Sequence, residues 1–141
     1  MSDSNHTANC SSGQLRITVQ GDPDFAIACN CLSCQQRTGA PFGVSGYYQR
    51  DRIVSTEGET GLFEREADSG RTVSTSFCPK CGSSVFWELE MRPDYIGVAT
   101  GCFAEPDYMT PTRVIWAENS HPWIEFPDAM PVFPKATPET S

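Results

Sequence analysis

Residues Ala28–Ala40 read "ACNCLSCQQRTGA". Three cysteines, Cys29, Cys31 and Cys34, fall within six consecutive positions. On an extended strand, residues two apart leave the same face with Cα atoms about 6.5–7 Å apart, so Cys29 and Cys31 can lean toward one point. A turn then returns Cys34, because positions i and i+3 of a turn approach to within about 7 Å. Tetrahedral zinc, with Zn–S bonds near ~2.3 Å, needs sulfurs roughly 3.8 Å apart. The spacing meets that need from three corners and leaves the fourth without a local thiol.

A second cluster, "FCPKCGSS", spans Phe77–Ser84. Pro79 fixes φ at the second position of a turn, and Gly82 permits a positive φ just after the second thiol. This predicts a zinc knuckle, which supplies two ligands and takes the rest from elsewhere. Cys10, in "NCSSG", is the expected third. The seventh cysteine, Cys102, follows an expected strand in "VATGCFAEP". A lone C-x-x-C is also compatible with a redox site, but thioredoxin-type sites sit in βαβ contexts, and none is evident here. Thiolates at this spacing suit zinc, with iron as the alternative.

The rest of the chain limits the function classes. It has 141 residues and a net charge of −8, with ten Lys and Arg scattered along it. Nucleic acid and anionic membrane surfaces are bound by clustered cations, so neither is expected as a partner. No apolar run reaches the ~18–20 residues of a membrane span. The opening "MSDSNHTANC" has neither the basic nor the apolar region of a secretory signal. A cytoplasmic protein is therefore expected, and in a reducing compartment closely spaced cysteines serve metals rather than disulfides.

Short alternating or β-branched runs recur: Gln14–Gln20, Phe42–Tyr48, Arg71–Phe77, Ser84–Leu89 and Tyr95–Ala99. Gly, Pro and Asp clusters separate them, as in "QGDPD" and "EGETG". This predicts a single, mainly β domain of antiparallel sheets over residues 9–135, with a helical turn after Cys31 or around Glu118–Ser120. Residues 1–8 and 136–141 are expected to be flexible termini, and the Pro-rich stretch from Pro127 an extended arm that frays past Lys135. The sequence carries no signal of oligomeric state.

Four blocks carry a family likeness: C-x-S-G-x-x-R (Cys10, Ser12, Gly13, Arg16); C-x-C-x-x-C followed by Arg37–Ala40 "RTGA"; "FCPKCG"; and I-W-x-x-x-S-x-P-W (Ile115, Trp116, Ser120, Pro122, Trp123). Together they resemble the glutathione-dependent formaldehyde-activating (Gfa-like) enzymes. The likeness covers Asn9 to Phe133. It implies a β-tent fold stapled by two zinc–cysteine sites. One is a structural zinc held by an early C-x-C and the later C-P-x-C; the other is a three-cysteine zinc at Cys29, Cys31 and Cys34. The implied activity joins glutathione to formaldehyde, a carbon–sulfur lyase reaction.

Two positions depart from the family pattern. The early C-x-C reads Cys10-Ser11-Ser12, and Val114 stands where the family often has His before the I-W block. Cys10, Cys78 and Cys81 then hold the structural zinc with water or Ser12, with a distant group such as Cys102 or His6, or that site is empty. A hydroxyl is a poorer zinc ligand than a thiolate, so weaker retention is expected.

Structural zinc sites are closed, whereas catalytic ones keep a position open. Three thiolates on a divalent cation leave an electron-rich centre, better suited to holding a thiolate nucleophile than to ionising water. Cys29, Cys31 and Cys34 are accordingly the expected catalytic group, with glutathione and a small carbonyl compound as partners. Glutathione is anionic, so a nearby cation must offset the acidity of the chain. Arg37 is the first candidate, followed by Arg16, Arg71, Lys80 and Arg113, each also readable as a surface cation. Ser33 and Ser45 are placed to hydrogen-bond a bound group. Trp116 and Trp123 read as core aromatics or pocket walls, His121 as a structural or exposed residue, and His6 as part of a mobile start. Two other readings stay open: a non-catalytic zinc-stapled module closed by a fourth ligand such as Cys102, and an enzyme of the same fold acting on another aldehyde, imine or thioether.

Overall fold

The computed structural model describes residues 4–137. Strands β1 (Asn5–Asn9), β2 (Arg16–Gln20), β3 (Phe25–Cys29), β4 (Gly43–Gln49), β5 (Ile53–Glu57), β6 (Gly61–Glu66), β7 (Thr72–Phe77), β8 (Ser84–Leu89), β9 (Arg92–Ala99) and β10 (Arg113–Ile115) are joined, among the described residues, by one short α-helix, α1 (Leu32–Thr38), and by 3-10 turns at Arg50–Arg52, Thr100–Phe103 and Ala117–Asn119, the last at the second place where a helical turn is expected. They form a three-stranded sheet, β1-β2-β5, and a seven-stranded sheet, β10-β3-β4-β9-β8-β7-β6. Every named pair is antiparallel except β10 on β3. Among the described residues no helix is long and apolar enough to cross a membrane.

Strand alternation divides the large sheet into two apolar faces. One face packs with the small sheet around Leu15, Ile17, Val19, Tyr48, Val98 and Phe103. The other gathers Ile27, Tyr47, Trp87 and Ile115. Neighbours Tyr47 and Tyr48 serve opposite faces, as a period of two requires.

A bulge corrects the phase of β8. Ser76 pairs with Phe86 but Phe77 with Ser84, so Val85 is an extra residue. Val85 joins the first core while Trp87, two residues on, joins the second. Without the bulge the two side chains would share a face.

The five strand runs expected from sequence correspond to β2, β4, β7, β8 and β9, and the helical turn after Cys31 is α1. Strand β9 begins at Arg92, three residues before the expected run. The termini differ from expectation within the described residues. Asn5–Asn9 is strand β1, paired with β2 from Asn5↔Gln20 to Asn9↔Arg16. His6 is thereby fixed, stacked on Tyr108 with centroids 3.8 Å apart and bonded to Glu105. The arm runs beside β10: Val114 N donates to Pro131 O at 2.8 Å, and Phe133 N to Val114 O at 2.9 Å. It remains ordered through Thr137, which is buried and receives a hydrogen bond from Arg113. The expected flexibility of residues 1–3 and 138–141 lies outside the described residues.

Candidate metal centres

Cys29 ends β3, and Cys31 caps the N-terminus of α1, its sulfur accepting from Cys34 N at 3.3 Å. The cap fixes the turn that returns Cys34 to its neighbours. The sulfurs of Cys29, Cys31 and Cys34 all lie within 4.8 Å of one another. The loop between strand and helix is tied to β10, the strand next to β3 at the sheet edge. Asn30 donates twice to Ile115 O, through its main-chain N and Nδ2, both at 3.1 Å. Gln35 Nε2 bridges Asn30 O and Asn119 O at 2.9 and 3.0 Å. The segment after Ile115 therefore braces the loop that carries Cys31 and Cys34.

The electrostatics describe one shared charge. Donation from Cys29 and then Cys34 holds the Cys31 thiol down to about 2. The same pairing raises Cys29, which donates to Cys31. Burial adds to the rise. A cation able to replace the remaining protons fits such a donor set, since metal binding by thiols releases protons.

The three thiols line a cavity of about 100 Å³ with Tyr47, Trp87 and Arg37. Trp87 Nε1 donates to the Tyr47 hydroxyl at 3.3 Å. Gly97 lies opposite both on the neighbouring strands. A Cβ there would stand 2.3 Å from Trp87 Nε1 and 2.9 Å from the Tyr47 ring, so only glycine lets the two rings close. Burial pushes the Tyr47 phenol up, which keeps it a proton donor. Arg37, in the last turn of α1, stacks over Trp87. Ser45 is buried on the same wall.

The second group brings Cys10 to the two thiols of "FCPKCG". The sulfurs of Cys10, Cys78 and Cys81 lie within 4.8 Å of one another. Gly82 takes φ 81° and donates to Cys78 O at 2.8 Å. Ser12 Oγ stands beside the triad, 3.3 Å from Cys10 Sγ and 3.7 Å from Cys78 Sγ. Cys78 is buried, and Gln14 Nε2 donates to its sulfur at 3.0 Å, with Lys80 N and Cys81 N also within reach. The Ser83 hydroxyl, with main-chain N–H groups, holds Cys81 down to about 5. Donors aimed at sulfur stabilise thiolates, the form a metal needs.

The remaining expected residues sort clearly. Cys102 joins neither triad; its sulfur faces Ser84 O at 3.8 Å. His6 pairs with Glu105 and is also in neither. Arg16 pairs with Glu57 on the small sheet. Of the cations expected near the first triad, Arg37 alone lines its cavity. Trp116 walls that cavity, while Trp123 is 72% exposed and belongs to no core. His121 is exposed and bonded to Gln35 Oε1 at 3.0 Å. Val114 is buried inside β10. Tyr47, Trp87 and Arg65, whose charge favours the Cys31 thiolate, were not singled out by sequence. The first two lie on opposite sides of Gly97, a register that no local pattern encodes.

Comparison with known proteins agrees with this architecture. A Rhodobacter sphaeroides protein solved by structural genomics has the same fold, with a TM-score of 0.55 at 19% identity, covering 70% of this chain and 88% of that one. Two curated relatives, from Fusarium vanettenii and Aspergillus terreus, are each 25% identical over 89 residues, or 63% of this chain. Both are named, provisionally, glutathione-dependent formaldehyde-activating enzymes. The matched stretch is 47% of the first relative and 46% of the second, so the chain spans about half the length of the curated relatives it matches. The family model for the glutathione-dependent formaldehyde-activating enzyme matches residues 5–119. With all the expected cysteines inside that stretch, this chain belongs to the glutathione-dependent formaldehyde-activating enzyme family.

Proposed function

We propose that this chain is a zinc-dependent enzyme that joins the sulfur of glutathione to formaldehyde or a similar small carbonyl compound, a carbon–sulfur lyase in the reverse direction. The observation that carries this reading is the position of the first triad. Its three thiols open onto an apolar cavity, and no fourth His, Cys, Asp or Glu donor joins them among the described residues. Cys29, Cys31 and Cys34 would hold the catalytic zinc; Cys10, Cys78 and Cys81 would hold a structural one. When bound at the first triad, zinc supplies a centre that favours the ionised form of an incoming thiol.

The residues of the chain do the rest. In the addition, one S–C bond forms, the carbonyl π pair moves to oxygen, and the proton lost by the thiol ends on that oxygen. Tyr47, kept protonated by burial and fixed by Trp87, is the donor facing the cavity. Arg37 supplies positive potential on the same wall. The volume of about 100 Å³ admits a carbonyl of few atoms and excludes bulk water around it. Thiol addition to formaldehyde is intrinsically easy, so positioning and ionisation state account for the catalysis required.

A closed, non-catalytic module would need a fourth protein ligand at the first triad, and Cys102, the residue expected to supply it, lies outside. Two-dimensional exchange NMR of glutathione, formaldehyde and their adduct tests the reading. The zinc-loaded protein should accelerate interconversion well above the uncatalysed rate. Cys31→Ala should return it to that rate while the β-sheet circular dichroism persists. An unaccelerated wild type would refute the proposal.

A further inference from the structure

The first cavity is too small for a whole tripeptide thiol. Small-molecule sites span roughly 300–1,000 Å³, and this one measures about 100 Å³. A second cavity, of about 480 Å³, adjoins it and shares Cys31 and Trp116 with it. It lies between the start of α1, the turn after β6 and the C-terminal arm, and holds Leu32, Arg65, Asp68 and Lys135.

Local structure places the backbone of each charged residue at this cavity. Arg65 projects from β6 and is half-buried. Asp68 sits in a tight turn closed by Ala67 N to Arg71 O at 2.8 Å and Gly70 N to Ala67 O at 2.9 Å. Lys135 is tied to the site through its carbonyl, which accepts from Trp116 N at 3.4 Å. Trp116 itself adopts a left-handed conformation, φ 56° and ψ 37°, costly for a bulky residue and typical of functional positions. In a chain of net charge −8, Arg16, Arg50 and Arg52 are spent on carboxylates elsewhere. Among the described residues no carboxylate lies within ion-pair distance of Arg65 or Lys135; Arg65 reaches only the carbonyl of Glu66, at 3.4 Å.

We infer that this second cavity seats the body of the thiol substrate, with Arg65 and Lys135 receiving two carboxylates and Asp68 receiving an ammonium group. Glutathione carries that complement: two carboxylates, one ammonium and a central thiol. The sulfur then reaches the first triad past Cys31 and Trp116, the residues common to both cavities. This assignment rests on the proposed use of a glutathione thiol, and deepens it by naming what selects glutathione over smaller thiols. Charge-assisted pairs of this kind are among the stronger hydrogen bonds.

The test uses S-methylglutathione, which keeps the three charged groups and has no ionisable thiol, so its binding reads the second cavity alone. Calorimetric titration of the full chain should show binding that weakens about 5–10-fold in Arg65→Ala and again in Lys135→Ala, with Arg65→Lys recovering part of the loss. Asp68→Asn should weaken S-methylglutathione but leave its N-acetyl derivative unaffected. The dimethyl ester should bind wild type no better than the parent binds the variant carrying both Arg65→Ala and Lys135→Ala. Lys135 is exposed on the arm, so Lys135→Ala keeps the test intact should Arg65→Ala impair folding. Equal affinity of wild type and folded variants, or of acid and ester, would overturn the assignment. Turnover of glutathione and 2-mercaptoethanol with equal kcat/KM would overturn it too while leaving the thiol chemistry standing. Failure of the zinc-loaded protein to act on either thiol would instead remove the function on which it rests.

Discussion

The guanidinium of Arg37 lies 4.3 Å from the centroid of the Trp87 ring. This contact joins the last turn of α1 to the bulged strand β8 and places a cation over the wall of the cysteine cavity. Arg37 also packs against β4, where a Cβ on Gly43 would stand 2.7 Å from its Nη2. Cation–π contacts contribute roughly 0.5–2 kcal/mol. Arg37→Ala is expected to cost about 1 kcal/mol of stability and to reduce kcat/KM for glutathione about tenfold. Arg37→Lys should recover little activity, because an ammonium cannot reproduce the planar stack. Steady-state kinetics beside thermal melts would separate the two losses, and unchanged kcat/KM would remove Arg37 from the site.

Gly97 lets the Tyr47 and Trp87 rings meet. Gly97→Ala should force one ring out and destabilise the fold by about 1–3 kcal/mol, the usual cost of overpacking. Gly101→Ala meets nothing within 4 Å and should leave the melting temperature unchanged. Melting both variants side by side checks the pair.

Ser12 stands beside the second triad, its hydroxyl within reach of Cys10 and Cys78. Ser12→Cys should slow zinc loss to a chelator at least tenfold, as a thiolate replaces a neutral hydroxyl. Metal removal should lower the melting temperature of the wild type, because structural zinc adds directly to folding free energy. Cys78→Ser should reproduce most of that loss without chelator, whereas Cys31→Ala should not. Chelator competition and melts provide the readings.

In the metal-free protein, Cys81 is held to about 5 by the Ser83 hydroxyl and neighbouring N–H groups. A folded value below the usual 9 favours the folded state at alkaline pH. That contribution is complete above pH 9 and is lost as pH falls through about 5. Cys81 should therefore be alkylated at a nearly constant rate from pH 7 down to about 6, where an ordinary thiol slows tenfold per unit. Ser83→Ala should move the midpoint of the rate profile upward.

The two cysteine triads were legible in the sequence because most of their members are local. C-x-C-x-x-C and C-P-K-C set their own geometry through a strand end, a helix cap and a knuckle glycine. Cys10 was the one distant member, expected because a knuckle supplies only two thiols and takes the rest from elsewhere. The five strands expected were those with strong β-branched runs. Strand β1, "NHTAN", carries no apolar alternation and is defined only by its partner β2. Tyr47 and Trp87 were invisible for a related reason: they meet across β9, over Gly97, and only after a bulge changes the phase of β8. Arg65 and Lys135 come together from an edge strand and a proline-rich arm, a juxtaposition set by topology rather than by spacing.

Cadmium NMR of the cadmium-substituted protein tests the central claim most directly, because each thiolate site gives its own resonance, displaced by every change in sulfur number. Two resonances are expected, one lost in Cys31→Ala and the other in Cys78→Ser. Added glutathione should move the first toward the four-sulfur range and leave the second in place. A first resonance already in the four-sulfur range without glutathione, or one that glutathione leaves unmoved, would contradict an open three-cysteine centre that receives the substrate sulfur.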